Sequence, residues 1–134
     1  MILRLQHNQV DLLQIETNDV YPVEACALLF GKSYINEASV KTIKAVKNRL
    51  HSASRFEVDP TDVATIIIEA EKEGLDFIGL FHSHPAPAEP SPIDIKFMHL
   101  WGDAIWLILS TTENRLAAYY LMNGKLKEAT ISIE

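Results

Sequence analysis

Three nearly continuous apolar runs, EACALLFG (Glu24–Gly31), FIGLFHSH (Phe77–His84) and AIWLILS (Ala104–Ser110), decide what this chain can become. Each is far short of the roughly 20 residues needed to cross a bilayer. Each is also apolar at odd and even positions alike, the pattern of a strand covered on both faces rather than one. Such strands need helices, and the intervening segments supply them. Val10 to Asn18 (VDLLQIETN) reads as a helix with Val10, Leu13 and Ile15 inward. In the second helix Asp59 suits the N-cap, Pro60 the first helical position and Asp62 the positive end of the dipole. Val63, Ile66, Ile67 and Ala70 then recur at i, i+3, i+4 and i+7, and Gly74 stops it. A third, SPIDIKFMHLW, is capped by Ser91 with Pro92 next. ILRL and RFEVD alternate as short strands, and Tyr34 to Lys47 reads as a strand from its β-branched content. Asn123-Gly124 between alternating runs signals a type I′ hairpin. The expected fold class is α/β (α+β), one domain over residues 1–134, with a largely antiparallel or mixed sheet and about three helices.

Composition narrows function. The chain has 134 residues, 48% hydrophobic and 22% charged, which excludes disordered and fibrous classes. Net charge is −6, with 18 acidic against 12 basic residues, and argues against a nucleic-acid partner. Lys41, Lys44, Lys47 and Arg49 form a small basic cluster that reads as a solvated face. The opening MILRLQHNQVDLLQ has no signal-like apolar segment, and no apolar run suits a membrane, so a cytoplasmic protein without a membrane partner is expected. One cysteine, Cys26, excludes an internal disulfide and zinc sites built from several thiolates. Any metal must use His and carboxylate.

The stretch FHSHPAPAEPSPIDI (Phe81–Ile95) holds such residues. In a strand, His82 and His84 project to one face and can share a metal. Asp94, in the first turn of the next helix, offers a third ligand, and the proline loop lowers the cost of holding it there. A catalytic zinc takes three protein ligands and keeps a fourth position open. Other readings stand beside this one. An H-x-H pair can be two half-buried sheet residues, and Ser91-x-x-Asp94 can be a capping box with no metal role. Cys26 with His82 or His84 as base would make a thiol protease, although a thiol inside an apolar strand is expected to be inert.

His82-Ser83-His84-Pro85 with Ser91-Pro92-Ile93-Asp94 resembles the H-[ST]-H-P and S-x-x-D elements of the JAMM (MPN+) metalloproteases. Pro22-Val23-Glu24-Ala25-Cys26 looks like that family's P-x-E-A-C-G strand, with Ala27 in place of the usual Gly. Asn48 and Phe56-Glu57-Val58-Asp59-Pro60 look like its N...F-x-x-D-P segment, so the likeness covers about Asp19 to Ser110. The resemblance implies a cytidine-deaminase-like MPN/JAMM fold. It implies one Zn2+ per chain on His82, His84 and Asp94, a water in the fourth place, Glu24 as general base and Ser91 as oxyanion donor. Glu57 and Glu89 are rival bases. It also implies peptidase or isopeptidase action after the C-terminal Gly-Gly of a ubiquitin-like modifier, in a monomer or weak homodimer. The modifier's tail would add as a strand beside Leu50 to Ser54, with Leu50, Ser52, Ser54 and Phe56 as substrate-binding residues. His99 and Trp101 read as packing residues. The alternative is a non-catalytic MPN scaffold that binds ubiquitin-like or other protein partners.

Overall fold

The computed structural model describes residues 1–50, 52–53 and 56–134. Its elements in chain order are β1 (Ile2–Leu5), α1 (His7–Val20), β2 (Cys26–Ser33), β3 (Glu37–Val46), α2 (Pro60–Lys72), β4 (Asp76–His84), α3 (Pro92–Met98), β5 (Ile105–Ser110), β6 (Arg115–Met122) and β7 (Lys125–Ile133). The α+β class expected from the sequence is what forms: three helices and one mixed sheet. The strands follow one another as β1-β3-β2-β4-β5-β6-β7, and β7 pairs back onto β1, closing the sheet into a barrel. Closure rests on the four-residue β1, which is parallel to both β3 and β7.

The apolar runs occupy the middle. β4 lies between β2, antiparallel to it, and β5, parallel to it. Adjacent parallel strands cannot be joined by a tight turn, and the crossover from β4 to β5 carries the proline loop and α3. Side chains of the central strands alternate between two cores. Ala27, Leu29, Phe81, Leu107 and Leu109 pack with Leu13 of α1. Leu28, Phe30, Leu80, Trp106 and Ile108 pack with Val63 and Ala70 of α2 and Met98 of α3. This two-sided cover is why the runs lack polar alternation. It also places His82 and His84, which share parity with Leu80, on the side of α2 and α3.

Several sequence expectations shift. α1 begins at His7, three residues before Val10, because Gln9 Oε1 accepts from the Gln6 N–H at 2.9 Å and supports an earlier start. It buries Gln9, Leu13 and Thr17 and leaves Ile15 exposed. The two polar residues are tolerated because Gln9 Nε2 donates to the Val40 carbonyl (3.0 Å) and Thr17 Oγ1 to the Leu13 carbonyl (2.8 Å). α2 is capped as expected, with Asp59 accepting from the Thr61 N–H at 2.8 Å. α3 ends at Met98, short of Trp101. Phe56 to Asp59 form no strand, and the described residues Leu50, Ser52 and Ala53 are turn, coil and bend. Ser54 lies outside the described residues. The hairpin stands, with Asn123 at φ 53° and Gly124 at φ 76°. Among the described residues no helix is long and apolar enough to cross a membrane.

Gly79 permits the close β4–β5 approach. A Cβ there would lie 1.9 Å from the Ile105 carbonyl oxygen, a backbone atom fixed in the sheet. Gly79→Ala is therefore expected to cost about 3 kcal/mol or more. Urea unfolding of the purified variant measures this, and a midpoint matching the parent would refute the tight-approach account.

Candidate metal centre

Because side chains alternate along β4, its last three residues divide between two tasks. His82 and His84 turn to one face, and Ser83 to the other. Ser83 Oγ accepts from the Ala25 N–H at 2.9 Å, and the Ser83 N–H donates to the Ala25 carbonyl at 3.1 Å. The residue between the two histidines thus fastens the start of β2, and Glu24 with it, to the end of β4.

Asp94 arrives from α3. Ser91 caps that helix: its Oγ accepts from the Asp94 N–H (3.1 Å), while Asp94 Oδ2 accepts from the Ser91 N–H (2.9 Å). The same Oδ2 lies 3.3 Å from His82 Nε2 and 3.8 Å from His84 Nε2. Capping box and ligand cluster are one structure, so the two readings of Ser91-x-x-Asp94 do not compete. The three side chains are buried, and one donor atom from each lies within 4.8 Å of the others.

The chemistry of this donor set fits a divalent cation. His82 Nδ1 and Nε2 and His84 Nδ1 are buried without a hydrogen-bond partner among the described residues, a costly state unless a cation engages them. His82 Nε2 is close to Asp94 but poorly aligned for a hydrogen bond. Burial, and then the neighbouring His82, lowers the His84 pKa and favours the neutral imidazole with a lone pair to give. Burial alone would raise the Asp94 pKa, but His82 and the two bonds at Ser91 together lower it, favouring carboxylate. Two imidazoles and one carboxylate suit zinc, and the Ser91 N–H bond orients the carboxylate from behind.

Glu24 sits before β2, buried at 3% exposure. Its N–H donates to the Ser52 carbonyl (2.8 Å), and its carbonyl accepts from Asn48 Nδ2 (3.3 Å). Asn48 Oδ1 in turn accepts from the Leu50 and Glu57 N–H groups, both at 3.1 Å. Buried Asn48 therefore binds the Glu24 backbone to the loop after β3. Desolvation, with the nearby Asp94 charge adding to it, raises the Glu24 pKa to about 8. Burial first, and Glu24 second, also push the Cys26 thiol far up, which keeps it protonated and unreactive.

The remaining sequence candidates separate. Phe56 is half-buried and stacks on His82, ring centroids 4.7 Å apart and 27° between planes. Trp106 meets the same imidazole edge-on at 5.6 Å. Phe56 thus packs against a candidate ligand. Ser52 is tied to Glu24, and Leu50 to Asn48. Glu57 is exposed and bonded to Arg49 at 2.6 Å, and Glu89 is exposed on the proline loop. Sequence reasoning gave no role to Asn48 or Ser83. Their immediate neighbours are polar, Lys47 and Arg49 about Asn48 and His82 and His84 about Ser83, so no local signal marks either side chain as buried or says what it bonds.

Residues 8–121 match the family described as prokaryotic homologs of the JAB domain. The chain is 38% identical over 113 residues to a desampylase of Pyrococcus furiosus, covering 84% of this chain and 77% of that protein. It is 27% identical over 118 residues to a desampylase of Haloferax volcanii, covering 84% and 80% respectively. Among solved structures it resembles a Desulfitobacterium hafniense protein (TM-score 0.88, 25% identity, 100% of this chain and 93% of that one). A Salinibacter ruber protein aligns at TM-score 0.73 with 25% identity, over 100% of this chain and 92% of that one.

The raised Glu24 pKa predicts a pH dependence for metal-free protein. Between the unfolded value of 4.5 and the folded value of about 8 the native state holds the extra proton, so this contribution to stability falls as pH rises through that window. His84, lowered from 6.5, acts in the opposite sense but only below that value. Between pH 6.5 and 8 the unfolding free energy from urea titration should therefore decline, by at most about 1.4 kcal/mol per pH unit. Glu24→Gln should flatten the profile there. An equally steep decline in that variant would assign the titration elsewhere.

Proposed function

Starting from the premise that the chain belongs to the prokaryotic homologs of the JAB domain and is a JAMM-type hydrolase, we propose that it is a zinc-dependent isopeptidase. It cuts the amide after the C-terminal Gly-Gly of a ubiquitin-like modifier, a reading supported by its likeness to two proteins named desampylase. The observation that carries this reading is the buried His82–His84–Asp94 cluster with buried, pKa-raised Glu24 beside it.

His82, His84 and Asp94 would hold the metal. When bound, zinc supplies Lewis acidity, which polarises the amide carbonyl and makes a water nucleophilic near neutral pH. The chain's own groups move the protons. Glu24 accepts a proton from the attacking water as the new C–O bond forms, and delivers it to the amine nitrogen as the C–N bond breaks. No covalent link to the protein is made. A base whose pKa lies near the working pH can do both jobs, and burial brings Glu24 into that range. Ser91 Oγ receives the Asp94 N–H, and its own hydroxyl proton remains to be donated to the oxyanion. Clamping of the Glu24 backbone by Ser52, Asn48 and Ser83 holds the base without using its carboxylate. The modifier's tail is held extended by backbone hydrogen bonds beside the loop that carries Leu50, Ser52 and Ala53, in a protein of the cytoplasm.

These assignments separate on mutation. The purified protein should carry about one zinc, lose activity to a chelator and keep it after thiol alkylation. Glu24→Ala should retain zinc without turnover, while Asp94→Ala loses the metal. Ser91→Ala should retain zinc and lose about 10²- to 10³-fold in kcat. Metal analysis alongside cleavage of a Gly-Gly-lysine conjugate checks all three. Activity in metal-free protein, or zinc loss from Glu24→Ala, would overturn the scheme.

A further inference from the structure

Two cavities meet at Glu24. One, about 230 Å³, is lined by Tyr21, Pro22, Glu24 and Ala53 among others. The second, about 320 Å³, is lined by Glu24 and Ser91, by Pro85, Pro87 and Pro90, and by Glu89. We propose that the second cavity is the acceptor subsite: it takes the methylene stem of the lysine whose ε-nitrogen leaves, and the Glu89 carboxylate biases the enzyme toward lysines in basic surroundings. This inference rests on the isopeptidase reading above.

Proton delivery requires the leaving nitrogen within hydrogen-bond reach of Glu24. Its stem must then pass through a cavity that Glu24 lines, and the described residues form the two above. The smaller borders Ala53, in the segment assigned to the modifier's tail. Tail and acceptor leave the scissile bond in opposite directions and cannot share a path. The lysine therefore takes the larger cavity, where Ser91 also faces the reacting carbonyl.

Its walls suit that occupant. Within an amide the lysine nitrogen is uncharged, so the stem is an apolar chain of four methylenes, and proline rings offer it flat apolar surface. The loop is held in shape from several sides. Buried Ala88 donates its N–H to Glu113 Oε1 (3.0 Å) and accepts from the Tyr119 hydroxyl (3.0 Å). A groove built this way needs little ordering on binding. Among the described residues no Lys or Arg lines it, whereas Glu89 is exposed there on a chain of net charge −6, so cations flanking the acceptor lysine are attracted.

The test uses zinc-loaded full-length protein and two conjugates. In each, a Gly-Gly-ended tail is amide-linked to the lysine of a short peptide flanked by arginines or by glutamates. The parent should favour the arginine conjugate in kcat/KM by about two- to fivefold. Glu89→Gln should bring the ratio near one, and Glu89→Lys should reverse it. Glu71→Gln, which removes the same charge from an exposed position on α2, should leave the ratio intact. Ala86→Trp, filling the groove, should lower kcat/KM for both conjugates on the order of tenfold with zinc content unchanged. Cleavage with no preference in the parent, an equal effect of Glu71→Gln, or indifference to Ala86→Trp overturns the subsite alone. Failure of the zinc-loaded parent to cut either conjugate overturns the isopeptidase reading and the subsite with it.

Discussion

Two imidazoles placed inside the protein without enough hydrogen-bond partners are the constraint on which the rest of the structure turns. His82 is fully buried, and both its ring nitrogens lack an aligned partner among the described residues. Leaving buried polar atoms in that state costs about 1–3 kcal/mol each. A cation shared with Asp94 would offset part of this cost, because one nitrogen of each ring would become its ligand. The surrounding elements serve to keep the arrangement. β2 and β5 hold β4 from either side, Phe56 and Trp106 contact the His82 ring, and α3 is capped by the carboxylate the site requires.

The low-polarity surroundings that make the donor set costly also set the reactivity of its neighbours. Desolvation raises Glu24 and Cys26 alike, with different consequences. A carboxylate shifted to about 8 exchanges protons near neutral pH. A thiol starts much higher, so the same displacement removes it from that range. Burial thus brings one residue into the range of a base and leaves another, two positions away, as an inert thiol. Backbone bonds do the positioning, since Asn48 and Ser83 bind the peptide around Glu24 and do not engage its carboxylate.

Much of this was legible in the sequence wherever a short period or a local cap decides. Strand periodicity alone puts His82 and His84 on one face, and Asp59-Pro60 and Ser91-Pro92 mark helix starts that form where expected. What could not be read depends on partners distant in the chain. The Asp94 carboxylate meets His82 only because α3 folds back over the end of β4, and sequence spacing permits but does not require that. Barrel closure depends on β1 meeting β7 from opposite ends of the chain. Gln9 and Thr17 reside in the core of an apparently weak amphipathic helix because each finds a carbonyl, one of them 31 residues away. Phe56, expected at the substrate, stacks on the His82 ring, a contact that a sequence-local reading of its loop cannot show.

The α3 N-terminus shows why a structural and a chemical reading of one motif need not exclude each other. A capping box uses one carboxylate oxygen and one hydroxyl lone pair, and both groups have capacity left over. Asp94 Oδ2 accepts from the Ser91 N–H and still faces both imidazoles. Ser91 Oγ accepts from the Asp94 N–H, which fixes the oxygen but not the direction of its own hydrogen. Helix capping therefore fixes the two groups relative to each other before any ligand arrives. Less conformational freedom then remains to be lost when metal and substrate bind, and on these grounds a seven-residue helix is enough to carry half of the site.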